Sequence, residues 1–292
     1  MYERIVIALD GSELAEIAIP YAQELAIRLS SELDIVTVCE PPNETESMRR
    51  VYIERIAAEL GRFGLRLHSV LLYGKAADAI LDYSELNKIN LIVMSTHGRS
   101  GVSRWMLGSV ANKILQGASC PILLIRAHKN DEPKLESVAL KRILLPLDGS
   151  QLGESALPYV EELASKTHAE VLLLQIITPL ERAVPIEGYT VHLADVYGDV
   201  LTHAKTYLSK VEQRFKQKGI TVSYEVISGL PASAIIDYSR DKAVNLVAMS
   251  THGRGGISRW VLGSVADKVL RGSGAPLLLV KASQVANAKA KA

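Results

Sequence analysis

Charge of one sign is what this 292-residue chain lacks: 33 Lys and Arg stand against 32 Asp and Glu, a net of +1. That balance removes the basic excess that draws proteins to nucleic acid or anionic membrane, and neither is expected as a partner. Long apolar runs are missing as well. The longest stretch without a charged residue is Ile114–Ile125, twelve residues, where a membrane span needs about twenty. Cysteine is scarce, with only Cys39 and Cys120, and neither metal nor redox spacing is present. The histidines at 68, 128, 168, 192 and 203 show no metal-ligand spacing either. Hydrophobic residues make up 48% and charged residues 22%, a balance that excludes disorder. The opening Met-Tyr-Glu-Arg runs directly into an apolar strand, so no signal peptide is expected, and a reduced, soluble, cytoplasmic protein is. At roughly 100–200 residues per domain, the length predicts two domains.

What is present is written twice. Met94–Ser109 reads MSTHGRSGVSRWMLGS and Met249–Ser264 reads MSTHGRGGISRWVLGS, identical at thirteen of sixteen positions. The starts also match, IVIALDGSELAE from Ile5 against ILLPLDGSQLGE from Ile143. The first pair of blocks is 155 residues apart and the second 138, so the second copy carries 155 − 138 = 17 extra residues. They fall after Pro179, around Leu180–Leu201. A unit this long is a duplicated domain rather than a solenoid repeat. The expected division is 1–127, a linker at 128–140, a second unit at 141–282 and a frayed tail from 283. The insertion reads equally as a lid over the second copy or as a solvent loop with a short helix.

Each copy alternates short β-branched runs with helical spacing. The first predicts strands at Ile5–Leu9, Ile35–Cys39, Leu67–Leu72, Leu91–Met94 and Ile122–Ile125. Leu14, Ala18, Tyr21, Leu25 and Leu29 recur at helical spacing, with Ser12 as N-cap and Pro20 as a kink that Pro158 repeats. Ile53, Ala57 and Leu60 stripe the next helix. Strands apolar on both faces and joined by helices mean a parallel sheet covered on both sides. The fold class is therefore α/β, as two tandem doubly wound five-stranded parallel-sheet domains. The last strand of each copy, PILLI at Pro121–Ile125 and PLLLV at Pro276–Val280, is an apolar edge. Such an edge invites pairing, and a pseudo-twofold pair within the chain is expected; the alternative is that helices cover each strand.

In an open α/β sheet, ligands bind where the strands end. The loop after strand four carries Gly98, Arg99 and Gly101, then reaches Gly108-Ser109 at the expected start of a helix. Its counterpart carries Gly253, Arg254 and Gly256, then Gly263-Ser264. Glycine lets backbone N–H groups approach a phosphate, and a helix N-terminus adds donors and positive dipole. Arg99, Arg104, Arg254 and Arg259 can neutralise its charge. The competing reading has the same glycines only turning the chain and capping a helix. Neither GxxxxGK[ST] nor GxGxxG is present. His97 and His252 have no nucleophile and carboxylate in a recognised motif and are read as loop-packing or ligand-side residues. Trp105 and Trp260 are read as packing.

The LDGS strand end, the spacing Ser95-x2-Gly98-x9-Gly108-Ser109 with Ser250-x2-Gly253-x9-Gly263-Ser264, and the duplication together resemble a tandem universal stress protein. The motif in that family is G-x2-G-x9-G-[ST]; serine replaces its first glycine in both copies. The resemblance implies an adenine nucleotide α-hydrolase-like fold with an ATP site in each copy. Asp10 and Asp148 match the aspartate that contacts adenosine. Val38 and Ile176 match the apolar residue near adenine, and Met94 and Met249 the residue before the motif. Gly98, Gly108, Ser109 and Val110 would hold phosphates in the first copy; Gly253, Gly263, Ser264 and Val265 would do so in the second. Read without the family, Asp10 and Asp148 fit turns, while Val38, Ile176 and the methionines fit plain core. An ATP-binding stress or signalling module is the leading expectation, with Mg2+ bridging the phosphates. Slow ATP hydrolysis and a nucleotide-independent interaction module are the alternatives, and pairing of two tandem chains is a further expectation.

Overall fold

The computed structural model describes residues 1–40, 46–97, 107–126, 138–178, 193–251 and 262–282. The first copy runs β1 (Arg4–Ala8), α1 (Glu13–Glu16), α2 (Ile19–Leu29), β2 (Glu32–Cys39) and α3 (Glu46–Gly61), then β3 (Arg66–Tyr73) and α4 (Ala76–Leu86). It closes with β4 (Leu91–Ser95), α5 (Ser109–Gly117) and β5 (Ile122–Ile125). The second runs β6 (Arg142–Pro146), a 3-10 turn at Gly153–Ala156, α6 (Leu157–Thr167), β7 (Glu170–Ile177) and α7 (Leu193–Lys216). It continues through β8 (Val222–Ser228), α8 (Pro231–Asp241), β9 (Leu246–Ser250), α9 (Ser264–Gly272) and β10 (Leu277–Val280).

The described strands join one ten-stranded sheet in the order β3-β2-β1-β4-β5-β10-β9-β6-β7-β8. Within each copy the pairs are parallel. At the centre the two apolar edges pair antiparallel, Leu124 opposite Leu277, Leu123 opposite Leu278 and Ile122 opposite Leu279. The pairing expected from the two apolar runs is thus observed, and it removes both edges from solvent. Contacts cross this seam in swapped positions. Lys281 Nζ donates to Gln116 O and Ala118 O at 3.3 Å, while Arg126 Nη1 reaches Ser273 O at 3.5 Å.

Strand alternation feeds two cores that each run through both copies. One face buries Ile5, Ile7, Leu33, Ile35, Ile143, Leu145, Leu173 and Leu278 beneath α2, α3, α6 and α7. The other buries Val6, Val36, Ile92, Leu124, Leu144 and Leu279 beneath α4, α5, α8 and α9. Period-2 alternation with both faces apolar is what a helix-covered sheet requires.

The sequence expectation for the two prolines changes. Pro20 does not kink a helix; it lies at the first turn of α2, after a separate α1 that Ser12 caps by accepting from Ala15 N at 3.2 Å. Pro158 starts α6 in the same way. The proline ring is pre-set for a first turn and its missing N–H would be unbonded there anyway, so a new helix costs less than a kink. Of the insertion, Leu193–Leu201 are the first turns of α7, 24 residues long against 16 in α3. Its remaining residues, through 192, the linker through 137 and the tail from 283 lie outside the described residues.

Candidate functional site

Because β1, β2 and β4 run parallel, their carboxyl ends come out on one edge of the sheet. There the first copy holds a cavity of about 320 Å³, within the range of small-molecule sites. One part is apolar, lined by Val38 of β2, Met94 of β4, and Ala76 and Ile80 of α4. Another is polar, lined by Thr96, His97, Gly108 and Ser109. Asp10 and Glu40 add carboxylates, and Val110 also lines the wall.

The polar part is tied down through Thr96. Its N–H donates to Ile125 O at 2.9 Å, and its carbonyl accepts from Gly108 N at 3.0 Å. A Cβ at Gly108 would lie 3.1 Å from that carbonyl, so the close approach favours glycine. Gly108 is the N-cap of α5 and supplies no side-chain cap. The first bond inside the helix is Asn112 N to Gly108 O at 2.9 Å. The N–H groups of Ser109, Val110 and Ala111 precede it, donors at the positive end of the helix dipole. The second copy repeats each step: Thr251 N to Val280 O, Gly263 N to Thr251 O and Asp267 N to Gly263 O, all at 2.9 Å. Among the described residues, no helix bond or side-chain cap takes the donors a phosphate would use.

The β1 end is a tight turn. Asp10 Oδ1 accepts from Ser12 N at 3.0 Å and from Ser12 Oγ at 2.6 Å, around Gly11 at φ +82°. Asp148 makes the same turn with Ser150, at 3.0 and 2.7 Å, around Gly149 at φ +80°. The turn reading of both aspartates therefore holds, and it leaves Asp10 in the cavity wall. Val38 and Met94 are likewise both core and cavity lining.

Asp10, Val38, Met94, Gly108, Ser109 and Val110 are thus brought together in one cavity. Asp148 follows β6, Ile176 lies on β7, Met249 on β9, and Gly263, Ser264 and Val265 open α9, the matching places in the second copy. Gly98, Arg99, Gly253 and Arg254 lie outside the described residues, as do Arg104, Trp105, His252, Arg259 and Trp260. His97 lines the cavity, its Nδ1 3.0 Å from Thr96 Oγ1, an arrangement compatible with both of its readings. Sequence reasoning missed the wall that α4 provides, and missed Glu40. Glu40 Oε1 accepts from Ala76 N at 2.8 Å and so caps that helix. Among the described residues no three His, Cys, Asp or Glu side chains are grouped to hold a metal. No described helix is long and apolar enough to cross a membrane.

The family model for the universal stress proteins matches residues 1–126 and 139–281. The chain belongs to the universal stress protein family. A universal stress protein of Methanocaldococcus jannaschii is 29% identical over 143 residues, 48% of this chain and 82% of its own. One of Mycobacterium bovis is 25% identical over 219 residues, 75% of this chain and 70% of its own. Two solved structures share the fold over nearly the whole length. One is a universal stress protein of Archaeoglobus fulgidus, with TM-score 0.66, 19% identity and coverage of 95% of this chain and 96% of its own. The other is a functionally unknown protein of Pseudomonas aeruginosa, with TM-score 0.72, 14% identity and coverage of 100% and 98%. The tandem architecture is therefore shared at full length within this fold.

Proposed function

We propose that the protein binds ATP at the carboxyl edge of each half and acts as a stress-response or signalling module rather than as a fast enzyme. The observation that carries this reading is the start of α5. Gly108 is held against Thr96, and the next three N–H groups open toward a cavity whose other part is apolar. An anion fits the first part and a flat base the second. Asp10, Val38 and Met94 take the nucleoside; Gly108, Ser109 and Val110 take the phosphates, with Gly98 and Arg99 from the preceding loop. Asp148, Ile176, Met249, Gly253, Arg254, Gly263, Ser264 and Val265 do the same in the second half. The phosphates themselves would hold a Mg2+ ion, which would neutralise part of their charge. Asp10 Oδ1 accepts from Ser12 within its own turn and His97 Nδ1 stands beside Thr96 Oγ1, and the reading assigns no catalytic role to either. At most, slow hydrolysis follows.

Thermal unfolding with ATP, ADP, AMP and GTP, each with and without Mg2+, tests the reading. At about a thousand times its dissociation constant a ligand adds roughly 4 kcal/mol, a rise of several degrees. The expected result is a rise with adenine nucleotides and negligible phosphate release. No rise with any nucleotide overturns the reading.

A further inference from the structure

The cavity of the first half carries groups of opposite polarity on different elements. At the start of α5 stand the N–H donors that follow Gly108. Elsewhere in the wall stand two carboxylates, Asp10 after β1 and Glu40 just past the end of β2. Among the described residues that line the cavity, none is Lys or Arg.

Glu40 is held in place through side chain and neighbouring backbone. Its Oε1 accepts from Ala76 N at 2.8 Å, a cap that Lys75, the N-cap residue of α4, does not provide from its own side chain. Just before it, Cys39 O accepts from Gly74 N at 3.2 Å. The end of β2 and the start of α4 are thereby joined twice, and the positive end of the helix dipole suits a carboxylate there. A carboxylate has about four lone-pair sites on its two oxygens, so the bond to Ala76 leaves Glu40 able to accept from a ligand as well. An ionised carboxylate accepts only, and it repels a second anion.

A nucleotide meets these walls in one order. Val38, Ala76 and Ile80 suit a base, and the α5 start suits the 5′-phosphates. The sugar joins the two, and its hydroxyls are the donors that match the carboxylates left in the wall. We propose that Glu40 is a specificity-determining residue for the sugar: its carboxylate accepts from a ribose hydroxyl and rejects nucleotides that carry a further phosphate at the 2′ or 3′ position. The first site then takes nucleotides whose only anionic group is the 5′-phosphate chain. A sugar phosphate would bring about −1.5 to −2 charges against two carboxylates, and no Lys or Arg among the described lining residues receives it. The inference rests on the nucleotide reading above.

Competition against labelled ATP with Mg2+ tests it, in the full chain carrying Gly263→Glu so that the first site is read alone. The competitors are ATP and ATP bearing an extra phosphate on its 2′ or its 3′ hydroxyl. At low ionic strength the phosphorylated forms are expected to bind about tenfold more weakly than ATP, or worse. Glu40→Gln keeps the size of the side chain and an oxygen for Ala76 N but removes the charge, and should narrow the gap to about threefold or less. Glu40→Asp keeps the charge and should keep most of the gap. A role confined to capping α4 would weaken ATP and its phosphorylated forms together and leave their ratio unchanged. Phosphorylated forms that bind as well as ATP, or a gap that Glu40→Gln leaves intact, overturn the inference while the nucleotide reading stands. Should Glu40→Gln not fold, salt decides: between about 10 mM and 1 M the Debye length falls from about 30 to 3 Å, so a gap made by charge shrinks, and a gap that stays constant overturns the inference. Absence of ATP binding to the unmutated chain overturns the nucleotide reading and this inference with it.

Discussion

Removing the Asp34 carboxylate is the sharpest perturbation of the fold. Asp34 is fully buried in β2, where Leu172 stands in the second half. Its Oδ2 accepts from Arg4 Nε at 2.9 Å and from the Tyr83 hydroxyl at 2.8 Å, and its Oδ1 lies 2.9 Å from His68 Nδ1. Asp34→Ala leaves three partners without an acceptor and a gap beside Val36. Breaking a buried ion pair costs about 3–5 kcal/mol. The Arg4 and His68 side chains are 28% and 50% exposed and can rehydrate, which lowers the expected loss to about 2–4 kcal/mol. Asp34→Leu should cost less. It restores volume, and Arg4 can turn to Glu32 as Arg142 already turns to Glu170, Nε to Oε2 at 3.0 Å. Urea unfolding of the three proteins, followed by circular dichroism, measures both differences. If Asp34→Ala lies within about 0.5 kcal/mol of the parent, or Asp34→Leu is no better than Asp34→Ala, the network does not support the fold as argued.

The seam and the alkaline limb give further expectations. Leu278, opposite Leu123 in the central pair and 2% exposed, should cost about 2–4 kcal/mol as Leu278→Ala, read by the urea midpoint, with a loss under about 1 kcal/mol counting against a shared core. Burial, with the hydrogen bond to Asp34, pushes Tyr83 up to about 12. A raised pKa favours the neutral phenol in the fold, so its contribution is full below the unfolded value near 10 and is lost as pH rises toward about 12. Stability should therefore fall more steeply with pH across that window in the parent than in Tyr83→Phe; parallel curves would contradict this. Cys120, pushed up to about 12 by burial, should stay unmodified by a thiol reagent near neutral pH until the protein unfolds, and rapid native labelling would show otherwise.

The duplication and the strands were legible because they rest on local signals: repeated words, two-residue alternation and helical spacing. The edge pairing was legible for the same reason, since two runs as apolar as Pro121–Ile125 and Pro276–Val280 had to be covered. The helix start at Gly108-Ser109 and the Ser12 cap were written in their residue types. What stayed hidden depends on distance along the chain. Nothing near Asp10 announces Arg49, 39 residues on, which donates to its carbonyl, and nothing near Asp34 announces Arg4 and Tyr83. Their partners exist only once the strands are side by side. Pro20 misled because a proline within a periodic pattern has two outcomes, a kink or a fresh first turn, and only the covering core selects between them.

Two ATP sites in one chain is the central claim, and the stoichiometry of binding tests it most directly. Equilibrium dialysis of labelled ATP with Mg2+ should give two nucleotides per chain, one for either Gly108→Glu or Gly263→Glu alone, and none for the folded double variant, in which bulk and like charge block both helix starts. A double variant that folds and still binds ATP as the parent does would place the nucleotide elsewhere and contradict the assignment.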